Sequence, residues 1–226
     1  MKHILIMTGG ALEMDFARAY MKTLSFDKVF AVDKGLEYVD ELGVTPDYLI
    51  GDFDTVNPNI LSKYEKLAET RKENYVIMKH PPMKDATDTE LAVDVAISLH
   101  PCMITVLAAT GSRMDHVLSN IGLLQKAADK GIRMYIIDSC NKIQLLSSDT
   151  LNSLQLLKNE QHGAYLSVLP LTDLVKGLTM KGVLYPVEDE EVRKGRSKTV
   201  SNEIIDDMAE ISIKAGQLLV IESKDK

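Results

Sequence analysis

Asp52 and Asp54 stand one residue apart, directly after the run Tyr48-Leu49-Ile50-Gly51. Two carboxylates roughly 4 Å apart repel by about 4 kcal/mol at an effective dielectric of about 20. A hard divalent cation such as Mg²⁺ offsets that repulsion with the oxygen ligands it prefers. The alternative is a solvated turn in which one Asp caps the next helix. The stretch Tyr48 to Thr55 does not choose between them, but further residues of the same kind follow other apolar runs. Asp33 and Lys34 come after Val29-Phe30-Ala31-Val32. Lys84, Asp85, Thr87 and Asp88 come after Tyr75-Val76-Ile77-Met78, across Pro81-Pro82. Gly111, Ser112, Arg113 and Asp115 come after Met103-Ile104-Thr105-Val106-Leu107.

The elements that must position these residues alternate between two periodicities. Short apolar runs closed by Gly or Pro read as buried strands. They start at Ile4, Val29, Leu49, Tyr75, Met103 and Met134. Between them lie helical patterns at about Glu13–Leu24, Leu36–Leu42, Asn57–Lys72, from Thr87, and from about Asp115. Thr87-Asp88-Thr89-Glu90 fits a capping box. Strand and helix in alternation predict an α/β domain over 1–140, its mostly parallel sheet covered by helices. In such sheets ligands bind beyond the carboxyl ends of the strands. All the loops above then share one edge, with six acids, Lys34, Lys84 and Arg113. That set suits a metal and a polyphosphate. No Walker or dinucleotide glycine loop is present, and Thr8-Gly9-Gly10 is only a faint version of such a turn.

Taken singly, each residue has a plainer role. Asp88 and Asp115 suit the first turn of a helix. Asp47, after Pro46, suits a turn. Arg113, His116 and Asn120 share a helix face, and His116 alone reads as structural. It is the set on one edge that favours a metal–phosphate site.

From 141 to 226 the pattern changes to short apolar runs broken by Gly, Asn, Asp and Pro, which predicts an all-β sandwich domain. Residues 153–158 admit a helix. Arg193 to Lys198 reads as a solvated hairpin loop.

Bulk properties exclude some classes. The 226 residues carry a net charge of −7, which argues against a nucleic-acid binder with a general basic face. Two cysteines make no disulfide framework, and a cytoplasmic location fits best. The short apolar run Met1–Met7 is neither a signal peptide nor a membrane span.

Asp33-Lys34-Gly35, Pro46-Asp47 with Gly51-Asp52-Phe53-Asp54-Thr55, Lys84-Asp85-Ala86-Thr87-Asp88, and Gly111-Ser112-Arg113-Met114-Asp115-His116 occur in the order and spacing of thiamine pyrophosphokinases. Gly182-Val183-Leu184-Tyr185-Pro186 and Ser201-Asn202-Glu203 resemble that family's C-terminal motifs. The resemblance covers nearly the whole chain. It implies a catalytic, nucleotide- and metal-binding α/β domain, then a β-sandwich that binds thiamine and dimerises. It implies transfer of pyrophosphate from ATP to the thiamine hydroxyl, with Mg²⁺, releasing AMP, in a homodimer whose active site lies at the subunit interface.

By the same resemblance Asp52, Asp54 and Asp88 are metal-binding acids. Asp33, Lys84, Asp85, Thr87, Gly111, Ser112 and Arg113 contact ATP, and Arg113 or Lys84 steadies charge on the transferred group. Asp115, Ser201 and Asn202 contact thiamine. The proton acceptor is Asp88 or Asp115. The chain departs from the family at Lys34, where many members have a small residue, and at Thr55, where Ser is usual. It also has no Trp to stack on thiamine, and Tyr185 is the candidate substitute. The rival readings are a pyrophosphokinase for another alcohol, such as a pterin, and a nucleotide-sensing module without turnover.

Overall fold

The computed structural model describes residues 2–70, 76–79, 85–111 and 113–225. They form two compact units, Met1–Leu123 with Ile137–Ser139, and Leu124–Ile136 with Cys140–Lys226.

The first unit holds strands β1 (His3–Met7), β2 (Lys28–Val32), β3 (Tyr48–Gly51), β4 (Val76–Lys79) and β5 (Met103–Leu107). They are ordered β4-β3-β2-β1-β5, and every pair is parallel. Ile4, Leu5, Ile6 and Met7 are wholly buried, as are Leu49 and Ile50. Strands covered on both faces need apolar residues at every position, which is why their sequences run unbroken. Helices α1 (Met14–Thr23), α2 (Gly35–Glu41), α3 (Pro58–Thr70) and α4 (Asp88–Ser98) fall between the strands, and α5 (Met114–Ala128) follows β5. Ala92, Val93 and Ala96 are the buried residues of α4, small enough to let it lie close against β2 and β3. Asp47 takes the plain role expected of it. Its carboxylate pairs with Lys28 Nζ at 2.7 Å and accepts the Val29 N–H at 2.8 Å, tying the entry of β3 to that of β2. The Lys72 end expected for α3, the Tyr75 start of β4, Pro81-Pro82, Lys84 and Ser112 lie outside the described residues.

In the second unit β6 (Arg133–Ile137) is followed by β7 (Asn141–Ser147), β8 (Ser153–Leu157), β9 (Tyr165–Pro170), β10 (Leu174–Lys181), β11 (Val187–Arg193), β12 (Met208–Ser212) and β13 (Gln217–Ser223). β7-β13-β9 and β11-β10-β12-β8 are antiparallel. Their inner faces share one core, with Leu146, Leu156, Val168, Leu178, Ile211 and Val220 among its members. The predicted α/β and β-sandwich classes are both borne out. The helix admitted at 153–158 is corrected to a strand over most of its length. Leu154 and Leu156 are buried while Ser153, Gln155 and Leu157 are exposed, and that period of two only a strand satisfies.

Candidate active site

Because the first unit's strands are parallel, their carboxyl ends open on one edge. The loops there are packed backbone against backbone. A Cβ placed on Gly35 would lie 2.0 Å from the Met7 carbonyl oxygen. One placed on Gly51 would lie 1.8 Å from Asp33 Oδ1, so the Asp33 carboxylate fills the space left by that missing side chain. Asp33, Phe53 and Ala108 hold φ of 46°, 60° and 56°. They lie at the ends of β2, β3 and β5. Left-handed backbone at a non-glycine residue persists only where its surroundings enforce it, and such residues gather at functional sites.

These loops surround a cavity of about 1020 Å³. Its lining takes Thr8, Gly9, Gly10 and Ala11 after β1, Asp33 and Lys34 after β2, Thr55 after β3, Asp85 to Thr89 at the start of α4, and Ala108 to Gly111 with Arg113 after β5. Of the residues singled out from sequence, Asp33, Asp85, Thr87, Asp88, Gly111 and Arg113 therefore meet around one space. Asp52 and Asp54 stand beside it at the end of β3, outside the lining, with Asp52 Oδ1 accepting the Asp54 N–H at 3.2 Å. Asp52 is half-buried and Asp54 exposed.

Thr87 caps α4 as its sequence predicts, its hydroxyl oxygen accepting the Glu90 N–H at 3.2 Å. Asp88 is thereby fixed in the first turn of the helix, at its positive end. Arg113 and Asp115 form a two-pronged pair, Nη2 to Oδ2 at 2.7 Å and Nε to Oδ1 at 3.3 Å. Both are exposed. The Arg113 guanidinium, helped by the His116 N–H, holds the Asp115 carboxyl at about 2. Asp115 in turn raises the Arg113 pKa.

Three lining features escaped sequence analysis. Tyr38 on α2 donates its hydroxyl to the Gly10 carbonyl at 2.8 Å. The Thr8 hydroxyl donates to the Ala108 carbonyl, and Asn120 Nδ2 donates to the Ala109 carbonyl at 2.8 Å. The shared helix face of Arg113, His116 and Asn120 was visible, but the partner of Asn120 was not.

The donor set fits a divalent ion. It consists of hard carboxylate oxygens, those of Asp33, Asp85 and Asp88 in the cavity lining and those of Asp52 and Asp54 at the end of β3. Among the described residues no three His, Cys, Asp or Glu side chains converge as a ready-made metal cage. Mg²⁺ needs no such cage, since it binds through one or two carboxylates together with substrate phosphates and water.

In the second unit Ser201 is exposed and Asn202 is 4% exposed. The Asn202 side chain is engaged within the protein. Its Oδ1 accepts the N–H groups of Tyr185 at 3.0 Å and Glu203 at 2.9 Å, and its Nδ2 donates to the Tyr185 carbonyl at 3.0 Å. The amide thus pins the backbone of Tyr185, whose residue is 65% exposed.

The thiamin pyrophosphokinase catalytic domain family matches residues 22–136, and the vitamin B1 binding domain family of the same enzyme matches residues 152–218. The thiamine pyrophosphokinase of Bacillus subtilis (strain 168) is 30% identical over 194 residues, covering 86% of each chain. A crystal structure of thiamine pyrophosphokinase from Bacillus subtilis superposes with a TM-score of 0.86 at 29% identity, covering 100% of both chains. One of a thiamin pyrophosphokinase family protein from Enterococcus faecalis gives 0.78 at 28% identity, again over 100% of both. With both domain families matched in order along it, the chain belongs to the thiamine pyrophosphokinase family.

Proposed function

We propose that the cavity of the first unit takes ATP as its magnesium complex, and that the enzyme transfers pyrophosphate from ATP to the hydroxyl of thiamine. The products are thiamine pyrophosphate and AMP. One observation carries this reading: Asp33, Asp85, Asp88 and Arg113, which follow three different strands, line a single cavity, within residues matched by the catalytic-domain family. Phosphoryl chemistry asks for positioning and charge stabilisation more than for a protein nucleophile.

In this reading Asp88, with Asp52 and Asp54, holds Mg²⁺. The ion, when bound, neutralises phosphate charge. Thr87 fixes the turn that carries Asp88. Asp33, Asp85, Gly111 and Arg113 line the nucleotide's place, with Lys84 and Ser112 from the neighbouring loops. Arg113 steadies charge on the transferred group. Asp115, with a pKa of about 2, is a poor proton acceptor near neutrality. Its part is to orient Arg113 and face the cationic thiamine. Ser201 and Tyr185, whose backbone Asn202 holds, form the thiamine surface of the second unit.

A homodimer, with the active site at the subunit interface, is part of the proposal. Leu184, Tyr185, Val200 and Ile205 are exposed around Ser201 and Asn202, an apolar grouping of the kind that marks interaction sites. No helix among the described residues is long and apolar enough to cross a membrane. Cys102 and Cys140 are not joined in a disulfide, which accords with a cytoplasmic location.

The test is an assay with purified protein, ATP, Mg²⁺ and thiamine. AMP released in step with thiamine pyrophosphate is the expected result. AMP released only with another alcohol, such as a pterin, would overturn the substrate assignment. Nucleotide binding without AMP would overturn the catalytic one.

A further inference from the structure

The loop after β5 has its carbonyls held by donors from elsewhere in the unit. The Leu107 carbonyl accepts the Thr8 N–H at 3.0 Å, and the Thr110 carbonyl accepts the Ala11 N–H at 2.7 Å. The Ala108 carbonyl accepts the Gly10 N–H at 2.7 Å and also the Thr8 hydroxyl. The Ala109 carbonyl accepts Asn120 Nδ2 at 2.8 Å. In a planar trans peptide the C=O of one residue and the N–H of the next point opposite ways. Fixing the carbonyls of Ala108, Ala109 and Thr110 therefore directs the N–H groups of Ala109, Thr110 and Gly111 away from those donors. The left-handed φ of 56° at Ala108 sets the turn. Successive N–H groups in such a turn form a concavity that suits an anion.

Only two of those donors are side chains, Thr8 Oγ1 and Asn120 Nδ2. Both residues are buried, Thr8 at 3% exposure and Asn120 at 8%, and both line the cavity. A buried polar side chain spent on one backbone carbonyl has a positional task. We propose that Thr8 and Asn120 are positioning residues for the phosphates of ATP. They hold the loop over 108–111 with its N–H edge presented, and keep its carbonyl oxygens from facing the nucleotide's negative charge. This deepens the reading of the cavity as an ATP site and rests on it.

The experiment measures binding of a non-hydrolysable ATP analogue with Mg²⁺, and of adenosine, to the full-length protein and to variants. It also measures KM for ATP and for thiamine. Thr8→Val removes the hydroxyl donor. Asn120→Asp replaces the amide donor with a carboxylate that repels the Ala109 carbonyl. Each is expected to weaken the analogue about tenfold, the size of one lost hydrogen bond. Adenosine affinity and thiamine KM stay within about twofold, and Thr8→Ser, which keeps the hydroxyl, restores analogue binding. A merely structural role would weaken adenosine and analogue alike, and that result overturns the proposal. Unchanged analogue binding in folded variants also overturns it. Should Asn120→Asp not fold, Asn120→Ser, too short to reach the carbonyl, is read in the same way. If the unaltered protein binds no analogue, the ATP reading itself falls, and this inference with it.

Discussion

Asp88 serves a helix and a site at once. As the first residue of α4 it sits where the helix dipole favours an anion, behind the Thr87 cap, and it lines the cavity. Asp88→Asn keeps the shape and removes the charge. We expect turnover to fall by about 100-fold or more, while the thermal midpoint moves by only a few degrees. AMP release at near-normal rates from the folded variant would contradict the assignment. Asp115 makes a different prediction. Its pKa is depressed to about 2 by Arg113, so the pair's contribution is complete above the unfolded carboxyl's value near 3.9. That contribution fades only as pH falls through about 2. An acid limb of kcat/KM between about pH 5 and 7 therefore belongs to another group. Asp115→Asn should raise KM, through a misdirected Arg113, and leave that limb in place. A limb that vanishes in Asp115→Asn would make Asp115 the base. Asp33, Asp85, Asp88 and Arg113 were legible in the sequence because their types and their positions after apolar runs both pointed to one edge. Thr8, Tyr38 and Asn120 were not, because each acts through a carbonyl distant in sequence, and any residue type supplies a carbonyl.

The strand-end loops owe their arrangement to close approaches that single side chains would prevent. Gly51, buried at the end of β3, has φ of 151° and the Asp33 carboxylate where its side chain would be. Gly51→Ala must push Asp33 aside, because the Asp33 backbone N–H is already fixed to the Ile50 carbonyl at 3.1 Å. We expect a loss of about 1–3 kcal/mol in stability, typical of an overpacked site. KM for ATP should rise with it and KM for thiamine stay nearly constant. An unchanged midpoint in urea together with unchanged ATP KM would show that Asp33 is not held there. Strands β1, β2, β3 and β5 were legible because burial on both faces leaves a nearly continuous apolar run. β11 was not, since Val187-Glu188-Asp189-Glu190-Glu191-Val192-Arg193 carries four acids. Only Val192 of that strand is fully buried. Asp189 pairs with Lys214 at 2.7 Å and Glu190 with Lys198 at 2.5 Å. It is an edge strand, where charge discourages pairing with another chain. Its composition records that protection rather than the ladder it joins.

At the scale of the molecule the second unit contrasts a charged edge with an apolar region. Leu184 and Glu203 are joined from N–H to carbonyl at 2.9 Å, and Val183 bridges Ile204, so the segments bearing Leu184-Tyr185 and Val200–Ile205 run side by side. Val183 and Ile204 face the sandwich core, while Leu184, Tyr185, Val200 and Ile205 face out, at 45%, 65%, 42% and 51% exposure. Inward residues account for the strand pairing, but the outward ones add nothing to this chain's own core. Covering them by a second copy removes their apolar surface from water at about 25 cal/mol per Å². It also sets that copy beside Ser201 and Tyr185. The proposed dimer therefore predicts scattering by the unaltered protein at twice the mass of one chain. Leu184→Lys combined with Ile205→Lys leaves the core untouched and places two like charges in the contact. We expect this double variant to scatter as a single chain and to lose thiamine-dependent AMP release. It should still bind the ATP analogue within about twofold, because the cavity of the first unit contains neither residue. A double variant that remains a dimer with full turnover would place the partner elsewhere. A variant that is monomeric yet fully active would show that one chain completes the site by itself.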